Sequence, residues 1–457
     1  MKSPALNMLQ GSIWDKLPQF ALPLAATAIL EQLFNAADVA VVGRFTGELS
    51  VASVAAVGAN SFVISLLITL FIGLSLGATV VIANAIGRGD AVCIRRAVHT
   101  AIAMAFIGGV LVLAIGELSA AALLRMLSVP HDVFPLALLY LRIYLLGMPV
   151  ILLYNFAAAV FRSVGDTRTP LLALLFAGIL NVFLNLFFVI GLHMTVDGVA
   201  IATILSNSVS ALYLLRRLQA STLPIRLKVK LIRIDRDAFL KILRIGFPAG
   251  IQGAMFSISN LVLQRAINSL GPLVMAASCA AFNVEVFAYV VLNAFSQACT
   301  AFVGQNVGAK QFDRCKRIFW ICLGEDILAT ALAIFSVLLI GRHILSFFNT
   351  NPEVIELGYT RLIFVFAAYT FTTCYEIFSG YLRGFGISLT PALLTVFGVC
   401  GVRICWIHWG FPHFHTFRSI MAAYPISLSI TAGLLLCALL YYRPTRRFRP
   451  ISSRNPV

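Results

Sequence analysis

Long apolar runs recur along the whole chain, and they constrain its fold more than any other feature of the sequence. Runs of roughly 18 residues or more with few charges are long enough to cross the hydrocarbon core of a membrane as α-helices. Transmembrane barrels instead show shorter segments of alternating polarity. Of the 457 residues, 60% are hydrophobic and 11% are charged, and the mean hydropathy of +0.94 exceeds that of ordinary soluble domains. The pattern predicts an all-α integral membrane protein without a large soluble domain.

Turn signals such as Val129-Pro130 and Gly271-Pro272 separate the apolar runs and predict twelve transmembrane helices. The predicted ranges are 17–42, 51–82, 94–116, 133–161, 168–191, 195–217, 241–268, 273–303, 314–340, 354–382, 388–411 and 417–442. An even number of helices places both termini on the same side of the membrane. The first run has full length and no small-residue cleavage pattern, so we predict that it remains as a span and is not a signal peptide.

The distribution of Lys and Arg predicts the orientation of the chain. Most of the 34 Lys and Arg residues fall in the loops on the side that holds both termini. The opposite side holds only Arg44, Arg125, Arg342 and Arg418. By the positive-inside rule the richer side is cytoplasmic, so we predict a multi-pass protein of a bacterial cytoplasmic (inner) membrane with both termini cytoplasmic. The formal net charge of +16 then reflects topology, and we predict no nucleic-acid partner.

The two halves of the chain resemble each other. Residues 162–170 and 383–391 share the pattern RxxGxxxTP, and the turn at 84–87 corresponds to the turn at 305–308 at the same offset of 221 residues. Six helices in each repeat preserve orientation, so we predict two parallel six-helix bundles around a central cleft, as in secondary transporters. The predicted segments are an N-terminal bundle (1–217), a basic cytoplasmic linker (218–240), a C-terminal bundle (241–442) and a basic cytoplasmic tail (443–457).

At these positions the chain resembles the multidrug and toxic compound extrusion (MATE) family. The resemblance rests on the proline-entered first helix with Asp38 before Val42-Gly43, on the turn at 304–309, and on the duplicated RxxG-then-TP element. It covers roughly residues 15–440. The resemblance implies an antiporter, not an enzyme, that exports organic, often cationic and amphipathic, compounds in exchange for protons or sodium. We expect no cofactor besides the coupling ion, a small-molecule substrate, membrane lipids as partners, and a monomer.

Polar residues within the first helix are candidates for binding the coupling cation. Glu31, Asn35 and Asp38 follow one another at spacings of four and three, which places them on one helix face. A charge deep in a bilayer costs at least about 2.5 kcal/mol, so we expect this face to meet protein or a water-filled cavity. Asp38 also matches the first-helix aspartate that the family resemblance implies as a cation-coupling residue. The alternative is a carboxylate that caps a broken helix or pairs with an arginine such as Arg44.

Two amides on the fifth predicted helix complete this candidate site. Asn181 and Asn185 are four residues apart and share a face. One branch of the family carries an aspartate where Asn185 aligns, so the resemblance implies a site with one charge fewer. The predicted cation-coupling set is Asp38, Glu31, Asn35, Asn181 and Asn185. A role of the two amides in helix packing is the alternative.

The second half carries its acids at other positions. Glu285 and Glu376 stand where the first half has the amides Asn60 and Asn155. Aromatic rings near them could bind flat cations through their π faces. The predicted substrate-binding set is Glu285, Glu376, Asn155, Phe256 and Phe282. For the two acids a buried salt bridge, to Arg265 or Arg361, is the alternative. For the adjacent acids Glu325 and Asp326 we predict a structural or interfacial role.

Other chemistries find little support in the sequence. The nine cysteines are scattered without a CxxC pair, and His413 and His415 lack the spacing of a helical metal site, so we predict no metal centre. A lipid-linked oligosaccharide flippase of the same superfamily fold is the alternative function. Such a protein needs cationic groups in its cavity, and four arginines lie within the predicted helices: Arg142, Arg265, Arg361 and Arg403. Six acids in the spans outnumber them. No convergent nucleophile set supports an intramembrane enzyme.

Overall fold

The structure, a computed structural model, describes residues 5–127 and 129–447. Its secondary structure in these residues is entirely helical, which confirms the predicted all-α fold. The helices are α1 Lys16–Phe45, α2 Ser50–Gly87, α3 Ala91–Met126, α4 Phe134–Leu146, α5 Met148–Ser163, α6 Arg168–Gly191, α7 Val196–Gln219, α8 Arg236–Asn268, α9 Pro272–Gly308, α10 Phe312–Ser346, α11 Pro352–Gly384, α12 Leu389–Phe414, α13 Phe417–Tyr442 and the short α14 Pro444–Arg447. Beyond Arg447, the predicted tail lies outside the described residues.

Each predicted helix corresponds to an observed one, except that the fourth is a bent pair. Within the described residues, ten helices are long and apolar enough to cross a membrane, or eleven if α4 and α5, which meet at 48°, count as one span. Pro149 follows Gly147 at this bend and interrupts the hydrogen-bond ladder of a straight helix. Helix α8 is not among the ten, because Gln252, Asn260 and two serines lower the hydropathy of its middle.

Most helices extend beyond their predicted apolar ranges. Helix α3 continues to Met126 instead of residue 116, and α8 begins at Arg236 instead of residue 241. The backbone ladder continues into polar residues because helical hydrogen bonds do not depend on hydropathy. Apolar runs therefore predict the membrane-crossing part of a helix better than its ends.

The repeated sequence motifs form the same helix ends in both halves. Gly165 and Gly386, the glycines of the RxxG pattern, adopt φ of +90° and +82°. In each case the following amide donates to the carbonyl five residues back, Asp166 to Phe161 at 3.0 Å and Ile387 to Leu382 at 3.0 Å. This is the Schellman cap, which needs a left-handed residue and favours glycine. The internal repeat thus preserves helix termini as well as helix order.

The chain divides into two compact units. One comprises the residues up to Leu6 together with Ala26–Leu243, and the other comprises Asn7–Ala25 and the chain from Arg244 onward. Helix α1 contributes to both units, its first turns to the second unit and the remainder to the first. The division of the chain into the four predicted segments stays a prediction.

We expect Gly109→Ala to destabilise the first unit. A Cβ at residue 109 on α3 would overlap the backbone of Pro149 on α5, so the helices must separate. Overpacking of this kind costs about 1–3 kcal/mol, which thermal unfolding of the purified protein would detect. Gly324→Ala on α10 is the matched control, because nothing lies within 4 Å of its added Cβ and alanine favours the helix. An unfolding midpoint for Gly109→Ala equal to wild type would contradict this packing.

Candidate functional site

Asp38 is a buried carboxylate without a cationic partner. Its side chain on α1 is 7% exposed. Within residues 5–127 and 129–447, no Lys, Arg or His nitrogen lies within 4.0 Å of it. The helix around it is continuous from Lys16 to Phe45 despite Pro23, so Asp38 does not cap a break. Neither part of the alternative interpretation, a cap or a pair with Arg44, is present in the structure.

The close approach of α6 brings the two amides to Asp38. Gly178 permits this approach, because a Cβ there would overlap the ring of Phe34 on α1. Two turns further along α6, the Asn185 amide nitrogen donates to Asp38 Oδ1 at 2.6 Å and to Asn181 Oδ1 at 3.2 Å. All three side chains are buried. The structure therefore brings together Asp38, Asn181 and Asn185.

Thr203 on α7 completes the shell around Asp38. Its hydroxyl lies 3.3 Å from Asp38 Oδ2 and 2.9 Å from the carbonyl oxygen of Val199, so its single hydrogen has two acceptors. The Asn181 amide nitrogen donates to the same hydroxyl oxygen at 3.5 Å. All partners of the Asp38 carboxylate are neutral. A charge in such a place is costly unless a proton or a cation neutralises it.

One oxygen of this cluster lacks a donor. Asn185 Oδ1 is buried and accepts no hydrogen bond from any of the residues that the structure describes. Its orientation follows from the amide nitrogen, which already serves two acceptors, so a flipped amide would place oxygen against oxygen. Carboxylate, amide and hydroxyl oxygens are the ligands that hard cations prefer. The cluster has the chemistry to bind a proton or a sodium ion.

The other two predicted members of the set lie elsewhere on α1. Glu31 is partly exposed and is in electrostatic range of Arg162 on α5. Asn35 is exposed, whereas Asp38 one turn later is buried. Residues 35 and 38 point about 60° apart on a helix, which suffices to separate them. The roles of Glu31 and Asn35 in coupling stay predictions.

In the second unit, Glu285 on α9 forms a buried ion pair with Arg361 on α11. Arg361 Nε and Nη2 donate to the two carboxylate oxygens at 2.5 and 3.0 Å, and both side chains are at most 5% exposed. Arg361 also donates to the hydroxyls of Ser278 and, at 3.3 Å, Tyr424. The salt bridge that the sequence left open as the alternative is thus present. Direct contact between Glu285 and a cationic substrate would require this pair to open.

Arg403 on α12 is a second buried guanidinium, and it has no acid beside it. It is 1% exposed and donates to Ser427 Oγ and Asn260 Oδ1, both at 3.1 Å. In the part of the chain that the structure describes, no carboxylate oxygen lies within 4.0 Å of it. It lies between two π-helical segments, Val396–Gly401 and Trp406–Gly410, a distortion common at functional sites. The interior of the second unit therefore contains an uncompensated positive charge.

A group of buried acids lies on α10 and α11. Glu376 accepts from Ser296 Oγ at 3.2 Å. Asp326 is fully buried and accepts from Thr330 at 3.2 Å, but its Oδ2 and both oxygens of Glu325 lack a hydrogen-bond partner within the described residues. Buried acceptors without donors favour protonated acids or a bound cation. Glu376 is in electrostatic range of Asp326, so these acids form one neighbourhood.

The comparison with known proteins decides the family. The model of the MatE family matches residues 23–187 and 248–407, more than half of the chain. The chain belongs to the MatE family. This confirms the resemblance on which the sequence analysis relied.

Relatives and solved structures agree with this assignment. The probable multidrug resistance protein YoeA of Bacillus subtilis (strain 168) is 26% identical over 404 residues, which are 86% of this chain and 86% of that protein. The FAD transporter of Shewanella oneidensis is 25% identical over 325 residues, which are 68% of this chain and 70% of that protein. An outward-facing multidrug resistance MATE transporter superimposes with a TM-score of 0.89 at 20% identity over 98% of this chain and 100% of that chain, which shows a common fold.

The family assignment establishes the general class of function. This MatE protein is a multi-pass membrane transporter of small molecules. At the level of the family it is not an enzyme, and transport uses an ion gradient in place of a bound cofactor. The chain has the helical architecture of its solved neighbours.

Sequence reasoning about this MatE protein missed one hydrogen-bond partner of Asp38 and two tyrosines in its surroundings. Thr203 was not predicted, although Thr203 and Asn207, four residues apart, form a polar stripe on α7 that could have indicated it. Tyr140 and Tyr144 on α4 lie in electrostatic range of Asp38, but tyrosines in an apolar run are indistinguishable from packing residues.

The remaining predicted substrate residues occupy varied surroundings. Asn155 is partly exposed on α5, and its carbonyl oxygen accepts from Arg162 at 3.5 Å. Phe256 stacks on Tyr289 with ring centroids 6.2 Å apart, and the guanidinium of Arg403 lies 5.4 Å from its centroid. Phe282 is 46% exposed, with Arg361 at 5.8 Å. Both phenylalanines thus already lie near a cation of the protein, and their role toward substrate stays a prediction.

Proposed function

We propose that this MatE protein is a secondary antiporter that exports organic compounds in exchange for protons or sodium, with Asp38 as the group that binds the coupling cation. The observation that carries the proposal is the Asp38 carboxylate, which is buried among neutral partners only. A carboxylate that can be neutral or charged at little structural cost is what coupling to a cation requires. We further propose that Asn181, Asn185 and Thr203 position this carboxylate.

The hydrogen bonds around Asp38 accommodate a proton without rearrangement. Asn185 donates to Oδ1, so a proton on Asp38 belongs on Oδ2. A protonated Oδ2 would donate to Thr203 Oγ1, and the threonine hydrogen would then serve the Val199 carbonyl alone. A sodium ion would instead be coordinated by Oδ2, the threonine hydroxyl oxygen and the amide oxygens. Either ion neutralises the carboxylate and so would weaken the hydrogen bond from Asn185 to Oδ1, which joins α1 to α6.

Two classes of organic substrate are candidates. Cationic, amphipathic compounds are the family expectation. Of the two acids predicted to bind substrate, Glu376 could attract them, because no arginine of the described residues lies within 4.0 Å of its carboxylate. Anionic organic compounds are the second candidate. Arg403 favours them, because no carboxylate of the described residues lies within 4.0 Å of its buried guanidinium. The similar protein of Shewanella oneidensis is named as a transporter of FAD, a flat organic anion.

The flippase alternative gains little from the placement of the four arginines. Arg142 is exposed and lies 3.6 Å from Glu117, and Arg265 is exposed as well. Arg361 is neutralised by Glu285. Of these four, only Arg403 is both buried and without a carboxylate within 4.0 Å in the described residues, whereas binding a diphosphate requires several cationic groups.

We propose the following setting for transport. The protein lies in the inner membrane of a bacterium as a monomer in contact with lipids, with both termini cytoplasmic, as the Lys and Arg distribution indicates. In this orientation the external cation moves inward while the organic compound moves outward.

The proposal is tested with purified protein in liposomes. We expect export of a fluorescent organic compound to accelerate at least about tenfold under an imposed pH gradient or an imposed sodium gradient, and to return to background when an ionophore dissipates that gradient. A cationic dye and a flavin nucleotide, assayed in parallel, distinguish the two substrate classes. Liposomes without protein provide the control. Transport of neither compound above that control, under either gradient, would contradict antiport.

A further inference from the structure

The connector between α7 and α8 is a docked segment of alternating character. Between Ile225 and Ile234, buried or exposed apolar residues alternate with exposed basic ones. Ile225 and Leu227 are buried, whereas Val229 is 61% exposed. The exposed basic residues are Arg226, Lys228, Lys230 and Arg233. Exposed apolar side chains interleaved with cations are typical of segments that lie at a membrane surface.

Hydrogen bonds fix this segment to α3. The backbone amide of Lys228 donates to His99 Nε2 at 3.1 Å, and His99 Nδ1 lies 2.7 Å from the Arg95 carbonyl oxygen. The ring is therefore a neutral tautomer with its hydrogen on Nδ1. The Thr100 hydroxyl accepts from the amide of Asp235 at 3.0 Å. These anchors hold the backbone that carries the basic side chains beside α3.

An apolar cavity of about 410 Å³ lies between this segment and the helices α3, α5 and α7. Its walls include Ile102, Phe106 and Ile107 of α3 and Leu153 of α5. Phe106 and Ile107 are 54% and 45% exposed, so the cavity is open. Among the residues that line it, only Gln219 and Arg233 have polar side chains, and Arg233 belongs to the docked segment.

We propose that this cavity binds one anionic phospholipid, with an acyl chain against α3 and the phosphate at the basic side chains of the segment 226–233. The apolar walls match a hydrocarbon chain, and the exposed cations match a phosphate at the height where a headgroup lies. This inference rests on one part of the proposed function, namely the membrane orientation that places the connector at the cytoplasmic leaflet. It is independent of antiport.

Charge complementarity selects this occupant. None of the four cations of the segment forms an ion pair with any of the described residues. These cations are Arg226, Lys228, Lys230 and Arg233. Asp235, the nearest acid along the chain, pairs with Arg96 at 3.6 Å instead. A neutral lipid would fill the apolar walls but leave these cations uncompensated.

Native mass spectrometry of the full-length protein tests the proposal. The probes are phosphatidylglycerol and phosphatidylcholine with identical acyl chains. We expect phosphatidylglycerol to bind wild type at least about fivefold more tightly, and the triple variant Lys228→Gln, Lys230→Gln, Arg233→Gln to lose about tenfold or more of this affinity. Equal binding of both lipids by wild type would indicate a chain site without headgroup recognition and would overturn the proposal.

Two further variants separate the headgroup from the cavity. Lys310→Gln, Lys316→Gln, Arg317→Gln removes three exposed charges that do not line the cavity, and it should bind phosphatidylglycerol as wild type does. Ala103→Phe, which fills the cavity, should weaken the binding of both lipids. If that variant does not fold, Ile107→Trp provides the same test. An equal loss of phosphatidylglycerol affinity in both triple variants would show that only the overall positive charge of the protein matters, and it would overturn the proposal. Gradient-driven transport can fail while lipid binding persists, so the two proposals are distinguishable.

Discussion

Replacing Asp38 by asparagine is expected to reduce gradient-driven export to background, a loss of at least about tenfold, or about 1.4 kcal/mol of coupling. An amide at residue 38 keeps the size of the side chain and can still bond to Asn185 and Thr203. It can neither be protonated nor carry a negative charge toward sodium. The liposome assay under each imposed gradient measures the effect, and thermal unfolding confirms that the variant is folded.

Asp132→Asn is the matched control for Asp38→Asn. Asp132 is an exposed turn residue, so the same chemical change there should leave export unchanged. Asn185→Asp tests the site from the other side, because it places a second carboxylate at the hydrogen-bond distance of 2.6 Å from Asp38. Two carboxylates so close share a proton, so we expect the ratio of ions to exported molecules to change. Export by Asp38→Asn at the wild-type rate would eliminate Asp38 as the coupling residue.

The sequence predicted the helices and much of the first-unit site because both depend on local pattern. The apolar runs and the turn signals between them located the helices, and the spacing of Asn181 and Asn185, with the family resemblance, singled out the two amides near Asp38. The bend between α4 and α5 was missed because the apolar run continues through Gly147 and Pro149. An average of hydropathy along the chain does not detect such a bend, because the residues on both sides of it are apolar.

Contacts between distant residues could not be derived from the sequence in the same way. Glu285 and Arg361 are 76 residues apart, and the sequence offered Arg265 as an equal partner. Only the packing of α9 against α11 selects Arg361. The connector was predicted as a basic linker from composition alone. Its docking on α3 depends on His99 and Thr100, more than 120 residues earlier in the chain.

Neutralising Arg361 is expected to have the largest effect on stability. Arg361→Gln leaves the Glu285 carboxylate buried without its two strong hydrogen bonds, and breaking a buried ion pair in this way costs about 3–5 kcal/mol. The purified protein in detergent should show a markedly lower Tm. Glu285→Gln should lower the Tm as well, because the buried guanidinium then loses its counter-charge and keeps only neutral acceptors such as Ser278 and Tyr424.

The double variant Glu285→Gln, Arg361→Gln decides whether charge imbalance is the cause. It removes both charges at once, so we expect it to recover most of the lost stability, since two neutral amides do not require compensation in the interior. Arg342→Gln provides a matched control. Arg342 and Glu356 form a pair of the same geometry, at 2.6 and 3.2 Å, but both side chains are more than half exposed. Water replaces a lost partner there, so the Tm should hardly change. A double variant as unstable as Arg361→Gln would instead assign the loss of stability to the packing of the arginine stem between α9 and α11.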